Sequence, residues 1–312
     1  MSRAGLCITR GAWAWLLLSG AGCLACGGAQ SAVVEPIAIS SEEPSKPAAT
    51  EDHRASLAEL HSKLAAGLGG ATALNLATKG LGPALVPLLA ESKDVAGLTS
   101  LDVSDNDLGP DGARALASSP RLSALRELDL GGNDIGDEGA VAVAHAATLA
   151  GLETLNVSGN SIAGSGAIAL AEARATRLSS LDLSMNSIGA AGVSALANTH
   201  LPLESLYLLG CEVGPSAVAE LARSTHLSKL KVLALTGNNL GDAGAQALAG
   251  STTLSQLTTL DLCANGIGDA GALALAQSKS FRHLKVLELY GNDIGSAGAA
   301  ALHKRFGVRL HL

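Results

Sequence analysis

From about residue 71 onward the apolar positions follow a fixed two-part rhythm. Triplets of the form apolar–x–apolar recur as LNL (74–76), LDV (101–103), LDL (128–130), LNV (155–157), LDL (181–183), LYL (206–208), LAL (233–235), LDL (260–262), LEL (287–289) and LHL (310–312). Alternation sends both apolar side chains of a triplet to one face and the middle residue to the other, so each triplet predicts a short strand. Three residues after each of the first nine triplets stands one column: Lys79, Asn106, Asn133, Asn160, Asn186, Cys211, Asn238, Asn265 and Asn292. Its spacings are 27, 27, 27, 26, 25, 27, 27 and 27. A Gly- and Ala-rich stretch such as Gly139–Ala147 follows and predicts a short helix lying close against the strands. Asp137, Asp242 and Asp269 are read as sitting just before such helices and are expected to cap their free N–H groups. One unit cannot bury its own apolar face, so successive units must stack.

The motif LxxLxLxxN/C resembles the leucine-rich repeat, and the IGDxGAxALA half resembles its ribonuclease-inhibitor-like subfamily. The resemblance covers 71–312 in about nine repeats. It implies an α/β solenoid, a right-handed horseshoe or arc with a parallel sheet on the concave face and helices on the convex face. The unit of 27 is slightly shorter than usual for that subfamily, and Lys79 in the column implies a looser first turn. The column of Asn106, Asn133, Asn160, Asn186, Cys211, Asn238, Asn265 and Asn292 is read as a structural ladder, its amides turned inward to satisfy turn backbone groups.

Ahead of the repeats the pattern changes. Arg3 and Arg10 precede a short apolar run, Gly11–Leu18, and then small residues. The run is well short of the roughly 20 residues that span a bilayer, so 1–22 is read as an export signal rather than an anchor helix. Cys23 then resembles the lipidated cysteine of bacterial lipoproteins, with Cys26 the alternative and an ordinary cleaved signal a further one. Residues 23–53 carry Pro36, Pro44 and Pro47 among Ser, Glu and Ala and read as a disordered tether. Ser56 and Glu59 form a capping box, and Leu57, Leu60, Leu64 and Leu68 make one stripe, so 54–70 is expected to be an N-terminal capping helix. At the other end the last triplet leaves a strand edge open. That edge is either a contact or is kept soluble by Arg309 and His311.

Composition narrows the chemistry. Apolar residues make up 47%, Gly 37 of 312, aromatics 2% and charged residues 16%. The formal net charge of −7 argues against a nucleic-acid partner. No HExxH, GxSxG or GxxxxGK[ST] occurs, and the eight His show no ligand spacing, so neither catalysis, metal nor cofactor is expected. Cys211 and Cys263 lie two repeats apart, about 10 Å, too far for a disulfide. Cys263 is expected to face outward and to be reactive.

What remains is the strand face, the extended surface of such a solenoid. Its outward residues include Asp102, Asp129, Asp182, Asp261 and Glu288, read as a row of solvated carboxylates, and a cluster of Tyr207, Leu209, Val232, Val286 and Tyr290. Both Tyr of the chain fall there, and Tyr is enriched at interfaces. The expectation is a noncatalytic binding module for a protein or peptide with basic groups. The signal places it in the cell envelope, lipid-anchored in the outer membrane or periplasm and meeting the membrane only through that anchor. The alternatives are a regulator of an enzyme, since the resembled subfamily includes nuclease inhibitors and GTPase activators, and a structural envelope spacer.

Overall fold

Each triplet forms a strand, in the first nine displaced one residue toward the N-terminus of the triplet: β1 Ala73–Asn75, β2 Ser100–Asp102, β3 Glu127–Asp129, β4 Thr154–Asn156, β5 Ser180–Asp182, β6 Ser205–Tyr207, β7 Val232–Ala234, β8 Thr259–Asp261, β9 Val286–Glu288 and β10 Leu310–His311. This computed structural model describes residues 67–312 except 308 and 309, together with 58, 60, 62 and 64. All of these belong to the unit Ala49–Leu312. The strands make one ten-stranded parallel sheet in chain order. The register is strict, with Leu101 opposite Leu128 and Asp102 opposite Asp129. Between the strands run helices α1 Leu85–Glu91, α2 Gly109–Ala117, α3 Gly136–His145, α4 Gly164–Ala171, α5 Gly189–Ala197, α6 Gly214–Arg223, α7 Gly241–Ala249, α8 Asp269–Gln277 and α9 Ser296–Phe306. Repeat n is βn, its turn and αn. The architecture is the expected α/β solenoid. The helix of repeat three begins at Gly136 rather than Gly139, because the chain turns at Gly136 (φ +59°).

Three rows of aliphatic side chains fill the coil, represented in repeat three by Leu128, Leu130 and Ile135 and repeated along the sheet. At the N-terminal end Leu60 and Leu64 belong to helical positions and are buried in the same core. The capping box of Ser56 and Glu59, the signal 1–22, the tether 23–53, and Cys23 and Cys26 lie outside the described residues. Among the described residues no helix is long and apolar enough to cross a membrane.

Backbone pairing between repeats continues past the strands. Leu130, Gly132 and Gly136 N–H donate to Asn156, Ser158 and Asn160 C=O at 2.8, 2.8 and 2.9 Å. The turn that allows this needs a left-handed residue just before the ladder position, at φ between +51° (Ala264) and +73° (Gly291). Five of these nine positions are Gly, which adopts that conformation without a Cβ clash.

The Gly of the helices answers a different demand from the expected one. A Cβ at Gly192 would stand 2.7 Å from Ala167 Cβ of the preceding helix and 3.0 Å from Ile188 Cβ. The close approach is between helices of neighbouring repeats, rather than between helix and strand. Asp137, Asp242 and Asp269 are likewise displaced from their expected role. They lie inside the first turn of α3, α7 and α8. Each accepts N–H bonds from the next repeat: Asp137 from Ala163 and Gly166 at 2.7 and 3.0 Å, Asp242 from Gly268 and Gly271 at 2.8 Å each, Asp269 from Gly298 at 2.8 Å. They clasp repeat to repeat. Where the clasp exists, the following helix is entered through an extended residue (Ala163, Gly268, Gly295). Where it is absent, as before α2, α3, α5, α6 and α7, the helix begins at a left-handed Gly. At the opposite helix end hydroxyls do the same work. Thr199 and Ser278 donate to Ala171 and Ala249 C=O at 2.6 and 2.8 Å.

Candidate binding face

The ladder column lies in the turn at the sheet's edge. In repeat four the Asn160 Oδ1 accepts N–H from Asn133 and Ile135 of repeat three at 3.0 and 3.3 Å. Its Nδ2 donates to Leu130 and Ser158 C=O at 2.8 and 3.0 Å. The same pattern holds for Asn133, Asn238 and Asn265, all buried. At the looser first turn, Asn106 Oδ1 accepts Leu81 N–H at 3.1 Å. These amides are consumed by backbone and offer nothing to a ligand. Cys211 is buried, and burial pushes its thiol up to about 12, so it stays protonated.

The outward face runs Asn75, Asp102, Asp129, Asn156, Asp182, Tyr207, Ala234, Asp261, Glu288 and His311 across the strands in register. The carboxylates here are not the solvated row that alternation suggested. Each of the four Asp accepts the N–H two residues on: Asp102 from Ser104 at 3.0 Å, Asp129 from Gly131 at 2.9 Å, Asp182 from Ser184 at 2.8 Å, Asp261 from Cys263 at 3.0 Å. Neighbours take further oxygens, Asn75 on Asp102 at 2.7 Å and Asn156 on Asp129 at 3.0 Å. His311 lies 2.6 Å from Glu288. All five acidic residues are half-buried. Burial pushes the Asp129 and Asp182 carboxyls above their ordinary value against the bonds that oppose it, with Asp102 and Asp182 adding to the rise at Asp129. At Asp105, burial and then Asp102 and Asp107 do likewise. The residues that alternation assigned to binding therefore also shape the turn. This N–H bond two residues on is a signal legible in retrospect, since Asp and Asn form it readily.

Tyr207 and Ala234 carry no such acceptor, and at Tyr207 the Leu209 N–H donates instead to Ser184 Oγ of the preceding repeat at 3.2 Å. Tyr207 on β6 stands opposite Ala234 and Val232 of β7 opposite Ser205, with Leu209 in the turn after β6; all three are half-buried. Val286 and Tyr290 stand two strands further on, beyond Thr259 and Asp261 of β8. Tyr290 is 69% exposed. A further apolar group was missed by alternation. Met185 is 59% exposed, in a left-handed position (φ +59°), with its sulfur over Gly210. Its signal was an apolar side chain in a column held elsewhere mostly by Gly. Cys263, expected to be reactive, is buried at 6% exposure, a short side chain in a row with Thr236 and Tyr290. Among the described residues, the middle row and its two flanking rows carry no Lys or Arg. Among the described residues, no group of three or more His, Cys, Asp or Glu is placed to hold a metal ion.

A family model described as "Leucine Rich repeat" matches residues 98–117, 123–144, 152–171, 176–197, 226–249, 254–276 and 282–302. No curated protein sequence matches the chain. Among solved structures, the chain is similar to one in the Rad7–Elc1 complex from yeast, at 16% identity and a TM-score of 0.49, covering 75% of this chain and 67% of that one. It is also similar to the Arabidopsis receptor kinase HAESA ectodomain in complex with an IDA peptide hormone, at 20% identity and a TM-score of 0.45, over 76% of this chain and 36% of that one. A third is a Bacteroides fragilis protein, at 17% identity and a TM-score of 0.45, over 73% of this chain and 60% of that one.

Proposed function

We propose that this leucine-rich repeat protein is a noncatalytic module that binds a protein or peptide on its strand face. The observation that carries the reading is the break at Tyr207, where the polar residue that shapes the turn in most other repeats is replaced by an aromatic group, on a stretch of the face that also carries Leu209, Val232 and exposed Met185. Large, rigid side chains of this kind dominate interface energetics. The surrounding carboxylates, with no Lys or Arg in the three rows among the described residues, favour a partner that brings basic groups. The basic and apolar run ahead of Cys23 supports export and attachment to the cell envelope through a lipid on Cys23 or Cys26.

Cross-linking capture from native envelopes tests both parts. Tyr207→Ala with Tyr290→Ala is expected to lower the affinity for the captured partner by about tenfold or more, each interface aromatic contributing about 1 kcal/mol or more. Unchanged affinity for every captured partner rejects the face. Mass spectrometry of the N-terminal peptide is expected to find an acylated Cys. An intact residue 1–22 segment rejects envelope attachment.

A further inference from the structure

Repeat six departs from its neighbours in three related ways. The family match skips 198–225, which contains it. The ladder spacing falls to its minimum, 25, between Asn186 and Cys211. And the ladder residue is a thiol. At the joints on either side an Asn Oδ1 accepts two N–H groups of the preceding repeat: Asn186 from Asn160 and Ile162 at 3.0 and 2.9 Å, Asn238 from Cys211 and Val213 at 2.9 and 3.1 Å. Between repeats five and six this acceptor is missing. Ile188 N–H turns back to Asn186 C=O within its own repeat at 2.9 Å. Asn186 N–H is left facing the Cys211 sulfur, a weak acceptor. On the donor side, the Cys211 thiol reaches Leu183 C=O at 3.2 Å and Leu209 C=O at 3.6 Å, where Asn238 donates three bonds of 2.6 to 3.2 Å.

The second fastener between repeats is absent here too. The positions equivalent to Asp137 in repeats four, five and six are Gly164, Ala190 and Pro215, so no carboxylate clasps α4 to α5, α5 to α6 or α6 to α7. Besides the strand pairing of β5 with β6, the Leu core and the Ser224 hydroxyl on Ala197 C=O, the joint keeps the Met185 and Gly189 N–H bonds to Leu209 and Cys211 C=O at 2.6 and 3.3 Å, the Leu209 N–H bond to Ser184 Oγ at 3.2 Å and the Ser187 hydroxyl on Glu212 at 3.0 Å, but neither the Asn acceptor nor a carboxylate clasp. In a solenoid, cooperativity is carried by nearest-neighbour interfaces, so one weak interface divides the array.

We propose that the joint between repeats five and six is a built-in opening point, at which the solenoid parts into a block of repeats one to five and a block of repeats six to nine. The joint lies under Tyr207 and Leu209, so opening displaces β6 from Asp182 and Met185 of repeat five. The opening is a sub-global event, with both blocks keeping their own cores.

Site-resolved amide hydrogen exchange on the full chain at neutral pH tests this. The Asn186 N–H is expected to exchange about tenfold or more faster than its counterparts at Asn160 and Asn238, as local opening exposes it first. Cys211→Asn restores the acceptor and is expected to slow Asn186 to the rate of Asn160. Asn238→Cys moves the defect one repeat on and is expected to speed exchange at the N–H groups of Cys211 and Val213 by a similar factor. It keeps the test informative if an Asn does not fit at 211. Equal protection at Asn160, Asn186 and Asn238 in the unmodified protein overturns the proposal, as does unaltered protection of Cys211 and Val213 in Asn238→Cys.

Discussion

Replacing Asp242 by alanine isolates the clasp between repeats. In the native protein one oxygen of Asp242 receives two N–H bonds of 2.8 Å, from Gly268 and Gly271. Gly268 stands just before α8 and Gly271 in its first turn, where the early N–H groups have no partner within the helix. Hydrogen bonds to a charged acceptor are worth about 1.5–3 kcal/mol. Asp242 is half-buried, so water replaces part of what is lost. Loss of a helix-capping side chain costs about 0.5–2 kcal/mol, and we expect about 1.5 kcal/mol here. For a unit of this size that lowers the melting midpoint by about 3–6 °C.

A second substitution makes the reasoning sharper. The clasp holds Gly268 extended at φ −98°, whereas Gly241, with no clasp before it, is left-handed at φ +57°. Ala163 shows that a side chain fits the extended form. Gly268→Ala should therefore be nearly neutral in the native background, its Cβ lying 3.4 Å from the Asp242 carboxylate. Without the carboxylate the entry relaxes toward the left-handed form, where Ala costs about 1–2 kcal/mol. The double substitution should then exceed the sum of the singles by about 1 kcal/mol in urea unfolding followed by circular dichroism. Strict additivity, or a single-site cost for Asp242→Ala below about 0.3 kcal/mol, refutes the clasp as the determinant of helix entry. The pH dependence has a definite sign at the equivalent Asp137. Burial raises that carboxyl, but the Ser165 hydroxyl and the Ala163 and Gly166 N–H groups outweigh it and hold it below its ordinary value. A depressed folded pKa means the contribution is present above the unfolded value near pH 4 and is lost as pH falls through the folded one. The cost of Asp137→Ala should fade over that acid range.

Two further outcomes follow from the ladder and the face. Asn160→Ala strands the buried Asn133 and Ile135 N–H groups and should cost on the order of 3–5 kcal/mol in urea unfolding, with a loss below about 1 kcal/mol counting against the ladder's role. Asp182→Asn keeps the oxygen that accepts Ser184 N–H and removes a charge that burial disfavours, so it should stabilise the protein at neutral pH by about 0.5–1 kcal/mol. Because the folded pKa of Asp182 is raised, the charged form is costly above it, and the gain should disappear as pH falls toward the unfolded value near 4. Stability measured at pH 7 and at pH 3.5 checks the sign.

The period made the fold legible, because a triplet that alternates every two residues and returns every 27 has few ways to bury itself other than by stacking. The ladder was legible for the same reason, as a polar column in phase with a buried one. The clasps were not. An Asp at the start of a helix reads the same whether its carboxylate serves its own first turn or a turn 26 to 29 residues on. Alternation also stopped short on the face. It gives the side of the sheet on which Asp129 lies, but not that a bond to Gly131 N–H and half-burial bind it into the turn. It gave Cys263 the outward side, but not that the side chain is buried there.

Residues 207 to 211 bring these threads together. Tyr207 gives up the N–H bond that Asp182 and Asp261 make, Leu209 replaces the small or hydroxyl-bearing residue found there in most other repeats, and Cys211 gives up the amide that Asn186 and Asn238 supply. All three changes remove hydrogen bonds or expose apolar surface, so none improves the solenoid. Single departures occur elsewhere, as at Lys79 and Ala234, but only here among the described residues do three fall within five positions, the kind of local conflict with stacking expected where another role is served. On the two readings proposed above, the aromatic anchor of the strand face and the weak joint of the sheet fall in the same five residues. A molecule that grips Tyr207 and also touches β5 therefore has more affinity for the closed joint than the open one, and by linkage its binding must tighten the joint.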